Sequence, residues 1–317
     1  CRFRQAFAKR SPGTAVFGIL QRVHRAAVTQ EDQRHPGRGL QPVAQPPRRS
    51  AAGPLGQEAG DEPGVDVETV YYQQQQMLDA EMVQLRPQTP FTTDLYFVGM
   101  ATYAEQDVFM REVLAVRDIV VKRLGLAGRT LTLINNRSTV DDYPLANRHN
   151  LARVASGLGH VMDVDDDVAV LFLTSHGYED SSLAVEFGPL GLNDIYAEDI
   201  RSSFDQAGIR YRVIIISACY SGGFIDGLKS PDSIVITASA RNRASFGCSA
   251  ERDWTYFGQA YFADALTRTT DFVAAFNEAA AAIAQLEHDI GLLRLNLNEA
   301  AALENFLLGS LRLWSRR

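Results

Sequence analysis

Val213-Ile214-Ile215-Ile216-Ser217-Ala218-Cys219-Tyr220-Ser221-Gly222-Gly223-Phe224 is the stretch on which the reading of this chain turns. Four consecutive β-branched residues show no polar alternation, so the strand they predict is apolar on both faces, as in a parallel sheet covered by helices on each side. The run stops at a thiol followed by a small, glycine-rich turn. In open α/β sheets the carboxyl ends of strands present side chains to a crevice. A second run has the same form: Val168-Ala169-Val170-Leu171-Phe172-Leu173-Thr174-Ser175 ends in His176-Gly177.

Working outward from these two strands, apolar runs alternate with amphipathic segments. Strands are predicted at Leu95–Val98, Leu131–Ile134, Val168–Thr174, Tyr211–Ser217 and Ser233–Thr237. Helices are predicted at Val67–Leu85, Asp107–Leu124, Leu145–Leu158, Ile195–Ala207, Tyr256–Leu266 and Phe272–Leu286. This alternation gives an α/β class with a mostly parallel sheet between helical layers. The regular pattern defines one domain over residues 65–290. Residues 1–64, rich in Arg, Gln, Pro, Gly and Ala without apolar periodicity, read as a disordered or non-native leader. Residues 291–317 form a Leu-rich segment with a helical pattern.

At 317 residues, with 46% hydrophobic and 22% charged residues, the composition excludes collagen, coiled coil and wholesale disorder. No run approaches a membrane span of roughly 18 apolar residues, and no intact export signal is visible, so cytoplasm and cell envelope both stay open. The net charge of -7 is uneven: residues 1–50 hold ten Lys and Arg against two Asp and Glu, the remainder 21 against 36. Arg outnumbers Lys 28 to 3, which points to codon bias rather than to a nucleic-acid-binding head. Three cysteines, Cys1, Cys219 and Cys248, are too few for a disulfide framework, which leaves a thiol nucleophile as the chemistry to weigh.

His176 and Cys219 end two strands of one sheet, and together they are the ingredients of a thiol nucleophile with an imidazole partner. Taken singly, His176 is read as a structural histidine and Cys219 as an apolar filler. The shared edge and the glycines on both flanks favour chemistry. Gly177 lets the backbone approach a substrate carbonyl, and its N–H with that of Cys219 can form an oxyanion hole.

Leu173-Thr174-Ser175-His176-Gly177 followed by Ile216-Ser217-Ala218-Cys219-Tyr220-Ser221-Gly222 resembles the His–Gly and Ala–Cys–x–Ser–Gly motifs of the legumain-like cysteine peptidases. That family contains asparaginyl endopeptidases and the catalytic subunit of the glycosylphosphatidylinositol transamidase. The resemblance spans roughly residues 93–286, includes Tyr96-Phe97-Val98-Gly99 and Ser245-Phe246-Gly247-Cys248, and is nearest to the bacterial branch. It implies a three-layer, caspase-like α-β-α fold and a cysteine endopeptidase acting on protein or peptide substrates. His176 is then the acid–base, Cys219 the nucleophile, Gly177 an oxyanion donor, and no metal or organic cofactor is required. A transamidase or transpeptidase using the same dyad, and a non-catalytic scaffold of the same fold, are the alternatives.

Departures from the family concern the pocket for the residue on the acyl side of the cut. The loop after the first strand reads Gly99-Met100-Ala101-Thr102-Tyr103-Ala104-Glu105-Gln106-Asp107, Ser217 stands where the family has an acidic residue, and Gln259 where it has Asp. By this mapping Glu105, Asp107, Ser217, Ser245 and Gln259 are the substrate-binding residues. Unpaired, Glu105 and Asp107 make an acidic pocket suited to Arg or Lys; as helix caps, they leave a small, uncharged polar one. Asp163-Val164-Asp165-Asp166-Asp167 lacks the glycine and terminal glutamate of a calcium loop and is read as a turn. Ser221 is read as a turn residue and Cys248 as a loop thiol.

Overall fold

The computed structural model describes residues 65–245 and 252–289. The predicted leader, the Leu-rich tail, Cys1 and Cys248 lie outside them. In chain order the elements are α1 (Val67–Val83), β1 (Leu95–Ala101), α2 (Asp107–Leu124), β2 (Thr130–Ile134), α3 (Arg148–Val161), β3 (Val168–Thr174), β4 (Ser182–Leu183) and β5 (Ile195–Tyr196). They continue with α4 (Ala197–Gln206), β6 (Tyr211–Ser217), α5 (Ile225–Leu228), β7 (Ser233–Thr237), α6 (Tyr256–Gly258) and α7 (Phe272–Asp289).

Five strands form one sheet in the order β2-β1-β3-β6-β7, every pair parallel. The chain leaves β1 toward β2 on one side and returns to β3 on the other, so the order reverses at the β1/β3 junction, where α/β sheets open a crevice. Alternate residues of the strands feed two cores. Phe97, Val170, Phe172, Val213 and Ile215 pack with Val113 and Val116 of α2, Phe257 of α6 and Phe276 of α7. Val98, Leu171, Leu173, Ile214 and Ile216 pack with Leu151 and Val154 of α3 and with Ile200 and Phe204 of α4. This is the three-layer arrangement expected from the uninterrupted apolar strands.

Bounds of α2, β3, β6 and β7 coincide with the sequence expectation. Differences elsewhere have local causes. Asn147 accepts from the Asn150 amide, which sets the start of α3 at Arg148 instead of Leu145. The predicted Ile195–Ala207 helix begins as strand β5, because Ile195 and Tyr196 pair antiparallel with Leu183 and Ser182. Two-residue strands are too short for period-2 patterning to reveal. After Gly258 the predicted Tyr256–Leu266 helix widens into a π-helical turn over Gln259–Ala265. In the Asp163–Asp167 turn, the Asp167 carboxylate accepts from the amides of Asp94 and Asp163, which ties the turn to the start of β1.

Candidate active site

Parallel register sets Thr174 of β3 opposite Ser217 of β6. Two residues on, His176 and Cys219 leave neighbouring strands at the same level, and the ladder continues past the strand end with Ser175 N donating to Ser217 O at 3.2 Å. The backbones stay in close approach there. A Cβ at Gly177 would lie 2.0 Å from the Cys219 carbonyl oxygen, well inside contact distance, so only glycine fits. On its other side this segment pairs with β4: Ala184 N donates to His176 O and Tyr178 N to Ser182 O, both at 3.0 Å. Residues alternate in the direction of their backbone groups, so the Gly177 N–H is turned away from β4.

The His176 ring is held by aromatic edges, 4.6 Å from Tyr103 and 5.2 Å from Phe109 between centroids. Its Nε2 is 3.1 Å from Gln106 Oε1. With that oxygen accepting, Nε2 carries the ring proton and Nδ1 the lone pair, the form that can take a thiol proton. Burial pushes the imidazole below the ordinary histidine range, opposed in part by the charge of Glu186. A neutral base at pH 7 is the consequence.

Cys219 is a partly exposed free thiol, and its Sγ donates to the Ser245 carbonyl at 3.4 Å. The next residue, Tyr220, is left-handed at φ 55°, a conformation costing a non-glycine residue about 1 kcal/mol. That turn is fixed by the segment following β7: Tyr220 N donates to Arg243 O at 2.8 Å and Gly222 N to Ser239 O at 2.9 Å. Ser221, buried against the Ser239 hydroxyl, is the turn residue its sequence context suggests.

Beneath the edge lies a carboxylate that sequence reasoning did not single out. Glu112 is fully buried on the stripe of α2 that otherwise carries Val108, Phe109, Val113, Val116, Val120 and Leu124. Its Oε2 accepts from the Thr174 hydroxyl in a short hydrogen bond, and its Oε1 from Thr255 N at 3.1 Å and Thr255 Oγ1 at 2.6 Å. Thr255 Oγ1 is in turn 3.1 Å from Ser217 Oγ. Burial raises the Glu112 carboxyl from 4.5 to about 7, against the lowering effect of these donors. A raised acid stabilises the fold fully below pH 4.5, and that contribution is lost as pH rises through 7. Glu112→Gln should therefore flatten the decline in stability between pH 5 and 8, by ~3 kcal/mol for this shift. Denaturant titrations at the two pH values check this, and parallel losses in wild type and variant would refute it.

Of the proposed substrate-binding residues, Glu105 pairs with Arg137 at 3.8 Å. Asp107, the first residue of α2, pairs with Arg111 at 3.4 Å and accepts from Asn136 Nδ2 at 2.8 Å. Both carboxylates thus have arginine partners that the acidic-pocket reading did not foresee. Ser217 is buried with its hydroxyl on Thr255, Ser245 meets Cys219 through its carbonyl, and Gln259 is exposed at the start of the π-turn. Gln106 was legible only as a polar residue in the loop after β1. No sequence signal distinguishes it from its neighbours Glu105 and Asp107.

No curated protein matches the chain. Among solved structures, caspase-1 from Spodoptera frugiperda aligns at 15% identity over 54% of this chain and 68% of that one, with a TM-score of 0.36. Over residues 147–291, the stretch that carries both His176 and Cys219, the chain matches the peptidase C13 family, that of legumain.

Proposed function

We propose that this protein is a cysteine endopeptidase that cuts peptide bonds through Cys219 and His176. The observation that carries the reading is the β3/β6 register, which delivers both residues to one level of the carboxyl edge. Cys219 Sγ, released from Ser245, gives its proton to His176 Nδ1 and attacks the scissile carbonyl. The oxyanion is held by the Gly177 and Cys219 amides. As the tetrahedral species collapses, the imidazolium protonates the departing amine and a thioester remains. His176 then deprotonates water, which attacks the thioester, releases the acid and returns the thiol. An amine in place of water gives transpeptidation with the same groups.

The hydrogen bonds of His176 to Gln106 and of Cys219 to Ser245 engage the two groups separately. This is the observation that favours the alternative of a non-catalytic scaffold. Alkylation separates the two readings. An activated Cys219 reacts with iodoacetamide at neutral pH far faster than Cys1 or Cys248, whereas equal rates favour the scaffold. Cleavage of a mixed peptide library by wild type and Cys219→Ala then tests peptidase activity directly.

For the acyl side, the sequence mapping offers Glu105, Asp107, Ser245 and Gln259 to line the pocket, with Ser217 buried behind them and its hydroxyl on Thr255. Because both carboxylates have arginine partners, this pocket takes a short polar side chain in preference to a cation. Measuring kcat/KM for matched peptides with Asn, Arg or Asp at that position should give Asn at least equal to Arg. A strong preference for Arg would restore the acidic pocket. No helix among the described residues is long and apolar enough to cross a membrane.

A further inference from the structure

Helix α2 approaches His176 and the end of β3 at a regular spacing. Gln106, its N-cap, bonds the His176 ring; Phe109, three residues on, packs an edge against the same ring; Glu112, three further, lies below both strand ends. Each is the i,i+3 neighbour of the next, so a line of three side chains runs from the His176 ring to the end of β3. Glu112 is one hydrogen bond from Thr174, two residues before His176. It is two hydrogen bonds, through Thr255, from Ser217, two residues before Cys219. Its two oxygens thus serve the two strands separately. A Cβ at Gly258 would fall 1.8 Å from Glu112 Oε1, so α6 also approaches closely enough to fix the carboxylate.

We propose that Glu112 is a positioning residue, a clamp whose two carboxylate oxygens set the spacing of the β3 and β6 ends and thereby of His176 and Cys219. The proposal rests on the dyad reading above. It differs from a purely structural role in one respect: the clamp governs the alignment of the reacting groups, and of the proposed pocket it reaches Ser217 alone, through Thr255. A buried side chain that only fills space would change stability and leave the folded enzyme's turnover intact.

The test uses the full chain well below its melting temperature, with Glu112→Leu, Glu112→Gln and Thr174→Val. Leucine removes both acceptors, and misalignment on the ångström scale costs about a hundredfold in kcat. KM should change far less than kcat, within about threefold, since the buried Ser217 is the one proposed pocket residue linked to Glu112, and only by way of Thr255. Glutamine keeps an acceptor for Thr255 and turns a donor toward the Thr174 hydroxyl, which can accept; it should hold kcat within about threefold of wild type. Thr174→Val removes one of the two links at constant shape and should fall between them, which keeps the test decisive if Glu112→Leu does not fold. Cys219 alkylation by iodoacetamide should follow the same order, read without turnover. Wild-type kcat in folded Glu112→Leu or Thr174→Val overturns the clamp, as does a Gln variant as impaired as Leu. A wild-type protein that turns over no peptide and alkylates Cys219 no faster than His176→Ala overturns the dyad itself, and the clamp with it.

Discussion

Replacing Cys219 with Ala or His176 with Ala lowers peptide turnover on the order of 10³-fold or more, and the double variant is no worse than either single one. Non-additivity follows because the imidazole has no proton to take when the thiol is gone, and the thiol has no base when the imidazole is gone. Both residues follow the last residues of their strands, so thermal melting should change little for Cys219→Ala and modestly for His176→Ala, which removes a ring packed on Tyr103 and Phe109. Cys219 is partly exposed, and the contacts of His176 are ring edges and one amide. Measured kcat with an unchanged circular-dichroism spectrum checks the pair of variants. Substantial activity in Cys219→Ala would end the cysteine-peptidase reading.

Gly177→Ala should cost about a hundredfold in kcat/KM although it adds a single methyl group. That methyl meets the Cys219 carbonyl oxygen at 2.0 Å, and the obstacle is backbone, so no rotamer change relieves it. Either the His176 segment or the Cys219 turn must move, and each movement shifts a proposed oxyanion donor together with a member of the proposed dyad. The comparison variant is Gly191→Ala, where an added Cβ meets nothing within 4 Å and activity should be unaffected. Equal activities for the two variants would show that the close approach of β3 and β6 beyond the sheet does not matter to turnover.

Much of this architecture could be read from residue order. Uninterrupted apolar runs specify strands covered on both faces, and β3 and β6 are found with the bounds that the runs at 168–174 and 211–217 predict. His176 and Cys219 were visible because each follows such a run, with Gly177 directly after the one and Gly222-Gly223 three positions after the other. Gln106 and Glu112 were hidden for different reasons. Gln106 is one polar residue among several in a loop, and only the folded loop selects which of them reaches the ring. Glu112 falls on the inward stripe of an amphipathic helix, where pattern reading expects an apolar residue. Its partners Thr174 and Thr255 lie 62 and 143 positions away, beyond any local pattern. Of the arginine partners of Glu105 and Asp107, Arg137 arrives from the loop after β2 and was hidden in the same way, whereas Arg111 is one turn along the helix from Asp107 and its i,i+4 spacing was legible.

The β3–β6 pairing has a temporal side. Between His176 and Cys219 the chain makes a full crossover through β4, β5 and α4 before β6 docks beside β3. Long-range parallel pairing is among the later and slower events of folding, because the closure entropy of the loop precedes the contacts that offset it. On the proposed dyad reading, the imidazole and the thiol come to one level only when that docking is complete. If the pair is the proposed dyad, a nascent or partly unfolded chain carries both side chains without the reactivity, and competence to cut would arrive in one step with the central sheet.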